Sequence, residues 1–169
     1  EVTTLFHEFG HGIHHMLTKV DVPDVAGING VPWDAVELPS QFMENWCWEK
    51  EALDFISGHF ETHEPLPEEK LNQLLKAKNY QAAMFVLRQL EFGLFDFTLH
   101  HTFEVGKANQ VLDTLKAVKD KVAVIKGVEW ARAPHSFSHI FAGGYAACYY
   151  SYLWAEVLSA DAFSRFEEE

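Results

Sequence analysis

Apolar residues recur every three to four positions through most of the chain, which is the period of an α-helix with one buried face. The first such segment covers residues 3 to about 18, and the second resumes after residues 36–40 and continues to 56. Further helices are predicted over residues 71–78, 81–103, 107–126 and 145–163. No segment shows the strict two-residue alternation of a half-buried strand, so the predicted class is mainly α with little or no strand.

Turn-forming residues separate these helical segments. Residues 19–32 contain two prolines and two glycines together with Asp21, Asp24 and Asn29, turn-forming residues that are typical of an irregular loop. A polar connector with Pro65 and Pro67 covers residues 61–69, and a second irregular stretch covers residues 127–138. Because residues 81–103 are rich in Phe and Leu, we expect that helix to be buried on more than one face.

The composition restricts the class of protein and of partner. Of the 169 residues, 48% are hydrophobic and 22% are charged, which is ordinary for a globular domain with a core. The formal net charge of −12 repels phosphate backbones and anionic lipid headgroups, so we expect neither nucleic acid nor a membrane surface as a partner. No apolar run of about 18 residues and no secretion signal are visible.

Cys47 and Cys148 lie far apart and not in a CxxC arrangement, which indicates neither a disulfide framework nor a thiolate zinc cluster. A reducing compartment fits best, and we predict a cytoplasmic protein. The chain starts at Glu1 and has a helical pattern by Thr3, while its last residues carry no helix-ending signal. We therefore expect an interior piece of a longer protein.

His7-Glu8-Phe9-Gly10-His11 matches the pattern H-E-x-x-H within the first predicted helix. Positions i and i+4 share one helix face, so both imidazoles can reach one metal ion while Glu8 points towards a water on that metal. The alternative is a pair of surface histidines on an amphipathic helix, and the pentapeptide alone does not decide between the two. A third ligand decides, because hydrolytic zinc sites usually have three protein ligands and one open position.

Glu37 is the predicted third ligand. It lies at the start of the next predicted helix, where a helix–loop–helix hairpin can return it to the two histidines. Glu44 follows two turns later on the same face, and two interpretations of it stay open. It either accepts a hydrogen bond from the free ring nitrogen of a liganding histidine or belongs to a solvated face, the interpretation that we favour for Glu49.

Three separated blocks carry a resemblance to a known family: HEFGHGIHHML, VELPSQFMENWCWE and HSFSHIFAGGYAACYYSYLWAEV. In sequence and in order they resemble the zinc metallopeptidase family of oligopeptidase A, dipeptidyl carboxypeptidase and thimet oligopeptidase, most of all its bacterial oligopeptidase A branch. The resemblance spans essentially the whole chain, but family members are several times longer. It implies that residues 1–169 are a zincin-like catalytic core without the large N-terminal part and a C-terminal tail.

The resemblance also implies roles for individual residues. It makes His7, His11 and Glu37 the ligands of one zinc ion per chain and Glu8 the general base and acid. It further implies that a Gly-rich loop and helix over residues 139–152 lie above the site and contact substrate and the tetrahedral intermediate. The residues that match the family's motif there are His139, Tyr145 and Tyr152. A phenol near the zinc is a neutral donor that can stabilise the developing oxyanion.

The predicted function is zinc-dependent hydrolysis of short oligopeptides by a metal-activated water, with Glu8 as general base. The limit to short peptides is implied by the family, in which the N-terminal part walls off a channel. That missing part is the expected partner, and without it we expect weak or no activity. Two alternatives stay open: a non-catalytic helical metal-binding or interaction module, and a zinc hydrolase acting on another bond. Ligand type alone also leaves cobalt and manganese open.

Overall fold

The computed structural model describes residues 1–128 and 130–169. Over these residues the regular secondary structure is entirely helical, as the periodicity predicts. They divide into two compact units: a first unit of Glu1–Ala82 with Ala155–Glu169, and a second unit of Ala83–Trp154. None of the helices formed by the described residues is both long enough and apolar enough to span a bilayer. The single catalytic core over residues 1–169 stays a prediction.

The first unit contains the short and long helices of the N-terminal half. They are α1 (Val2–Met16), α2 (Trp33–Val36), α3 (Leu38–Glu44), α4 (Lys50–Ile56) and α5 (Glu68–Lys78), with 3-10 turns at Pro23–Val25 and Asn45–Trp48. The first predicted helix is confirmed as α1. The prediction of one continuous helix up to residue 56 is wrong, because Glu49 adopts an extended backbone that ends the turn before α4.

Helix α1 packs closely against α3 at a glycine. Gly10 is the buried residue of α1. A β-carbon built on Gly10 would lie 2.6 Å from the carbonyl oxygen of Pro39 and 2.6 Å from the Cα of Ser40. Only a residue without a side chain fits there, so the close approach of the two backbones depends on this position. It brings the start of α3 against the helix that carries the two histidines.

The last helix is α9 (Ser151–Glu168). Its residues after position 154 belong to the first unit and pack within it. Phe163 and Phe166 lie against Phe42 and Trp46, with ring centroids 5.3 to 6.1 Å apart. Asn45 donates a hydrogen bond from Nδ2 to the hydroxyl of Ser159, at 3.0 Å. These contacts hold the polypeptide directly after α3, so they support the element that carries Glu37.

The second unit contains α7 (Gln110–Val122), α8 (Ser138–Phe141) and all of α6 (Ala82–Thr102) except its first residue. Its core is formed by four buried side chains: Phe95, Leu99, Val118 and Ile140. The core receives one side of α6, while Phe85 and Phe97 of that helix are 60% and 54% exposed. The expectation that this helix is buried on more than one face holds for residues 91–96, which are all buried or half-buried over more than one turn, but not for the positions of Phe85 and Phe97.

The helix predicted over residues 145–163 begins later than its apolar pattern indicates. Residues 145–150 form turns, and α9 starts at Ser151 and continues to Glu168. Ala147 within the turns has a φ of +57°, a left-handed conformation that a helix cannot contain. The side chain of Asp96 in α6 accepts hydrogen bonds from backbone amides of this turn. A contact between distant segments thus replaces the first turns of the predicted helix.

Candidate metal site

The structure brings together the three predicted metal ligands in the first unit. Nε2 of His7 lies 3.2 Å from Oε2 of Glu37, and Nε2 of His11 lies 3.3 Å from the same oxygen. The two imidazole rings are 5.0 Å apart and nearly perpendicular, at 87°. One ligand atom from each of the three residues lies within 4.8 Å of the others. This group could therefore hold a metal ion.

Local sequence explains how α1 contributes two of these groups. His7 and His11 are four positions apart in one helix, so they lie on one face a single turn apart. Their side chains are 18% and 19% exposed. Glu8, between them in the sequence, is exposed. That Glu8 accepts a proton in the reaction stays a prediction.

Glu37 is buried almost completely, at 1% exposure, between the end of α2 and the start of α3. The hydroxyl of Ser40, which is fully buried, lies 2.9 Å from the Oε2 of Glu37 and 2.9 Å from its backbone carbonyl oxygen. Its proton can be donated to either oxygen. Ser40 therefore limits the rotation of the Glu37 carboxylate, and sequence reasoning missed it. The signal that could have revealed it is its position one turn after Glu37 on a helix.

The structure decides between the two interpretations left open for Glu44, the last residue of α3. Its Oε1 lies 2.7 Å from Nδ1 of His7, on the side of the ring opposite the atom that faces Glu37. A carboxylate at this distance accepts the ring N–H and holds the imidazole in one orientation. Nδ1 of His11, by contrast, is buried and has no hydrogen-bond partner among residues 1–128 and 130–169.

Two carboxylates surround His7 and change its protonation. Hydrogen bonds to Glu37 and then to Glu44 raise the pKa of His7 to about 9, although burial acts in the opposite direction. Without a metal ion, His7 is therefore a cation at neutral pH. The site favours positive charge at this point, and two imidazole nitrogens with one carboxylate oxygen are the ligand types found in zinc sites. The residues present fit a divalent cation.

The other predicted site residues cluster in the second unit. The ring of His139 lies 5.8 Å from that of Tyr145 and 6.1 Å from that of Tyr152, and the two tyrosine rings stack at 5.2 Å. Tyr149 packs among them and donates its hydroxyl hydrogen bond to Gln89 at 3.1 Å. That His139, Tyr145 and Tyr152 act on the same substrate as the metal group stays a prediction.

The geometry of the metal group defines a candidate metal centre in a helical fold, and the family follows from comparison with known proteins. The model of peptidase family M3 matches residues 1–169. The chain belongs to this family of metallopeptidases.

Relatives agree with that assignment. The chain is similar to oligopeptidase A of Haemophilus influenzae, with 86% identity over all 169 residues, and to oligopeptidase A of Escherichia coli, with 70% identity over the same residues. It is also similar to saccharolysin of Saccharomyces cerevisiae, with 40% identity over 164 residues or 96% of the chain. The matches cover 25%, 25% and 23% of those three proteins. The chain thus spans about a quarter of the length of these relatives.

Proposed function

We propose that the protein containing this chain is a zinc-dependent oligopeptidase whose metal is held by His7, His11 and Glu37. The observation that carries the proposal is the convergence of two imidazole nitrogens on one buried carboxylate oxygen, at 3.2 and 3.3 Å. Membership of peptidase family M3 and the similarity to proteins named oligopeptidase A support it.

A bound divalent cation supplies Lewis acidity towards the scissile carbonyl and makes water available as a nucleophile near neutral pH. Glu8 accepts the proton that this water loses as its oxygen bonds to the carbonyl carbon. When the C–N bond breaks, Glu8 delivers the proton to the leaving amine. Its exposure in the first unit leaves it accessible to a substrate. Glu44, through its 2.7 Å contact with Nδ1, keeps His7 oriented for ligation.

His139, Tyr145 and Tyr152 are proposed to contact the substrate. Each offers a ring N–H or a phenolic hydroxyl, which are neutral donors suited to a carbonyl oxygen that gains negative charge. Their packing into one cluster supports a shared role, because a donor stabilises developing charge best when it is already oriented.

We propose short peptides as substrates and the remainder of the longer protein as the partner that completes the substrate cleft. The span of about a quarter of each relative supports this second point. We propose a cytoplasmic location, which is supported by the presence of only two cysteines in the sequence, far apart and not in a CxxC arrangement.

The test is peptide hydrolysis by the full-length natural protein. We expect a chelator to abolish hydrolysis and zinc to restore it, with cobalt and manganese tested in parallel. Glu8→Gln is expected to retain one zinc per chain while turnover falls by a factor on the order of 10² or more. Glu51→Gln, at an exposed carboxylate of α4, is the matched control and should behave as the parent.

Two results would contradict the proposal. Metal binding without chelator-sensitive hydrolysis would favour the non-catalytic metal-binding module. Hydrolysis at the parental rate by Glu8→Gln would remove Glu8 from the reaction.

A further inference from the structure

Asp96 is a buried carboxylate that the proposed reaction does not use. It lies in α6 and is 1% exposed. Its Oδ1 accepts a hydrogen bond from the backbone N–H of Ala147 at 2.8 Å, and its Oδ2 accepts one from the N–H of Tyr149 at 2.9 Å. Nδ1 of His100, one turn later in α6, lies 2.8 Å from Oδ1. Both carboxylate oxygens therefore accept hydrogen bonds from the backbone of one turn, and Oδ1 also lies against one imidazole.

The turn that Asp96 holds is strained at one residue. Ala147 has a φ of +57°, which places its β-carbon in unfavourable contact with its own backbone. Such a conformation persists only where surrounding contacts impose it. The hydrogen bond from the Ala147 amide to Asp96 is such a contact, and the second bond, two residues later, prevents the turn from rotating about the first.

The same turn lies between two of the proposed substrate-contacting residues. Tyr145 precedes Ala147 and Tyr152 follows Tyr149, so the amides held by Asp96 lie between the two phenols along the chain. The rings of Tyr145 and Tyr152 stack at 5.2 Å with an interplanar angle of 18°. The relative placement of these rings depends on the path of residues 146–151, which is held by the two hydrogen bonds to Asp96 together with backbone hydrogen bonds within the turn.

Burying a carboxylate is unfavourable unless its charge is compensated by hydrogen bonds. Asparagine at position 96 could fill the same volume but offers one acceptor oxygen instead of two, and its amide nitrogen would repel the second backbone N–H. The charge-assisted pair of bonds is shorter and more directional than neutral ones. A buried carboxylate is thus an unfavourable residue at position 96 unless its hydrogen bonds are made, and those bonds have a specific geometry. Together these two features indicate that Asp96 does more than fill the core.

We propose that Asp96 is a positioning residue of the peptidase reaction: by holding the amides of Ala147 and Tyr149, it places the phenols of Tyr145 and Tyr152 for contact with the substrate. This inference rests on the proposed function. It concerns only contacts within the second unit.

The test uses the full-length natural protein and the substitution Asp96→Asn. We expect kcat to fall by a factor on the order of 10² with the zinc content unchanged, since displacement of a catalytic group by about 1 Å has such a cost. We also expect faster hydrogen exchange at the amides of Ala147 and Tyr149. Glu91→Gln is the matched control, because Glu91 is a carboxylate of the same helix at 3% exposure that pairs with Arg88. It should change neither measurement.

A double-mutant cycle separates positioning from general stabilisation. If Asp96 acts through Tyr145 and Tyr152, then Asp96→Asn should cost less than about threefold in kcat when both tyrosines are already Phe. An equal loss of kcat in both backgrounds would overturn the proposal, and so would an unchanged kcat in the presence of accelerated exchange. A failure of the proposed function appears separately, as hydrolysis that persists in Glu8→Gln.

Ala147→Val tests the same inference if Asp96→Asn does not fold. A β-branched residue disfavours the left-handed conformation, so it displaces the turn without altering α6. We expect the same loss of kcat and the same dependence on Tyr145 and Tyr152. Ala146→Val, at an exposed neighbour without a positive φ, is the control and should retain parental activity. Parental kcat in Ala147→Val would contradict the proposal.

Discussion

Gly10 of α1 faces the backbone of Ser40 in α3 at a distance that leaves no room for a side chain. A β-carbon on Gly10 would lie 2.6 Å from the Cα of Ser40, and the atom it would meet is backbone, which cannot rotate away. The same approach places Glu37, three residues before Ser40, against the two histidines of α1. The closeness of two helix backbones is therefore part of the geometry of the metal group.

Gly10→Ala is expected to push α3 away from α1 and to separate Glu37 from the histidines. We expect a loss of about 1–3 kcal/mol in the free energy of unfolding, typical of overpacking, together with weaker zinc binding. Denaturant unfolding of the metal-free protein and zinc competition with a chelator measure the two effects.

Gly12→Ala is the control for that substitution, because it lies in the same helix and its new β-carbon would meet only the Phe9 side chain at 3.9 Å. It should leave zinc affinity unchanged and raise helix stability by roughly 0.5–1 kcal/mol. Equal zinc affinities for the two variants would show that the close approach at Gly10 is unimportant for the site.

Ser40→Ala is expected to weaken zinc binding roughly 10- to 100-fold, because the Glu37 carboxylate loses the buried hydroxyl at 2.9 Å that restricts it. Chelator competition measures the affinity, and circular dichroism checks that the helices remain. Ser164→Ala is the control, since that hydroxyl donates to the Asp161 carbonyl on the exposed side of α9. An unchanged affinity in Ser40→Ala would mean that Glu37 is held by its burial alone.

Glu44→Gln is expected to reduce zinc affinity by a similar factor, since the neutral amide is a weaker acceptor for the Nδ1–H of His7 and makes that imidazole a poorer ligand. Zinc competition in parallel with Glu51→Gln isolates the effect of the contact from the change of net charge. If the two variants bind zinc equally well, the 2.7 Å contact has no part in ligation.

The protonation of His7 predicts how the metal-free protein depends on pH. Its pKa is raised from 6.5 to about 9, so its contribution to stability is fully present below pH 6.5 and is lost as the pH rises through 9. We expect the unfolding midpoint of the chelator-treated parent to fall over this range more than that of His7→Gln. Identical pH profiles for parent and variant would contradict the assigned cause.

Some features of the structure follow from short stretches of sequence. Helix α1 and the pairing of His7 with His11 were predictable, because the helical period alone places residues four apart on one face. The helical class was likewise readable from apolar spacing. Glu37 also lies beside the histidines, as predicted from a helix–loop–helix hairpin that can return the start of the next helix to α1.

Other features depend on residues distant in sequence. The predicted helix up to residue 56 is broken, and the helix predicted from residue 145 starts at Ser151. In the second case the Asp96 carboxylate, 51 residues before Ala147, holds the backbone that the local pattern assigns to a helix. Apolar periodicity carries no information about such a contact.

The amino-acid sequence by itself determined the helical class, the pair of imidazoles and the identity of a carboxylate near them, because each depends on local periodicity or on the pairing of helices that follow one another in the chain. Only the tertiary structure revealed three contacts: the backbone of α3 packs against Gly10, Ser40 hydrogen-bonds Glu37, and Asp96 hydrogen-bonds the turn between two tyrosines. These contacts depend on distances between separately formed segments, and such distances are set by packing in three dimensions.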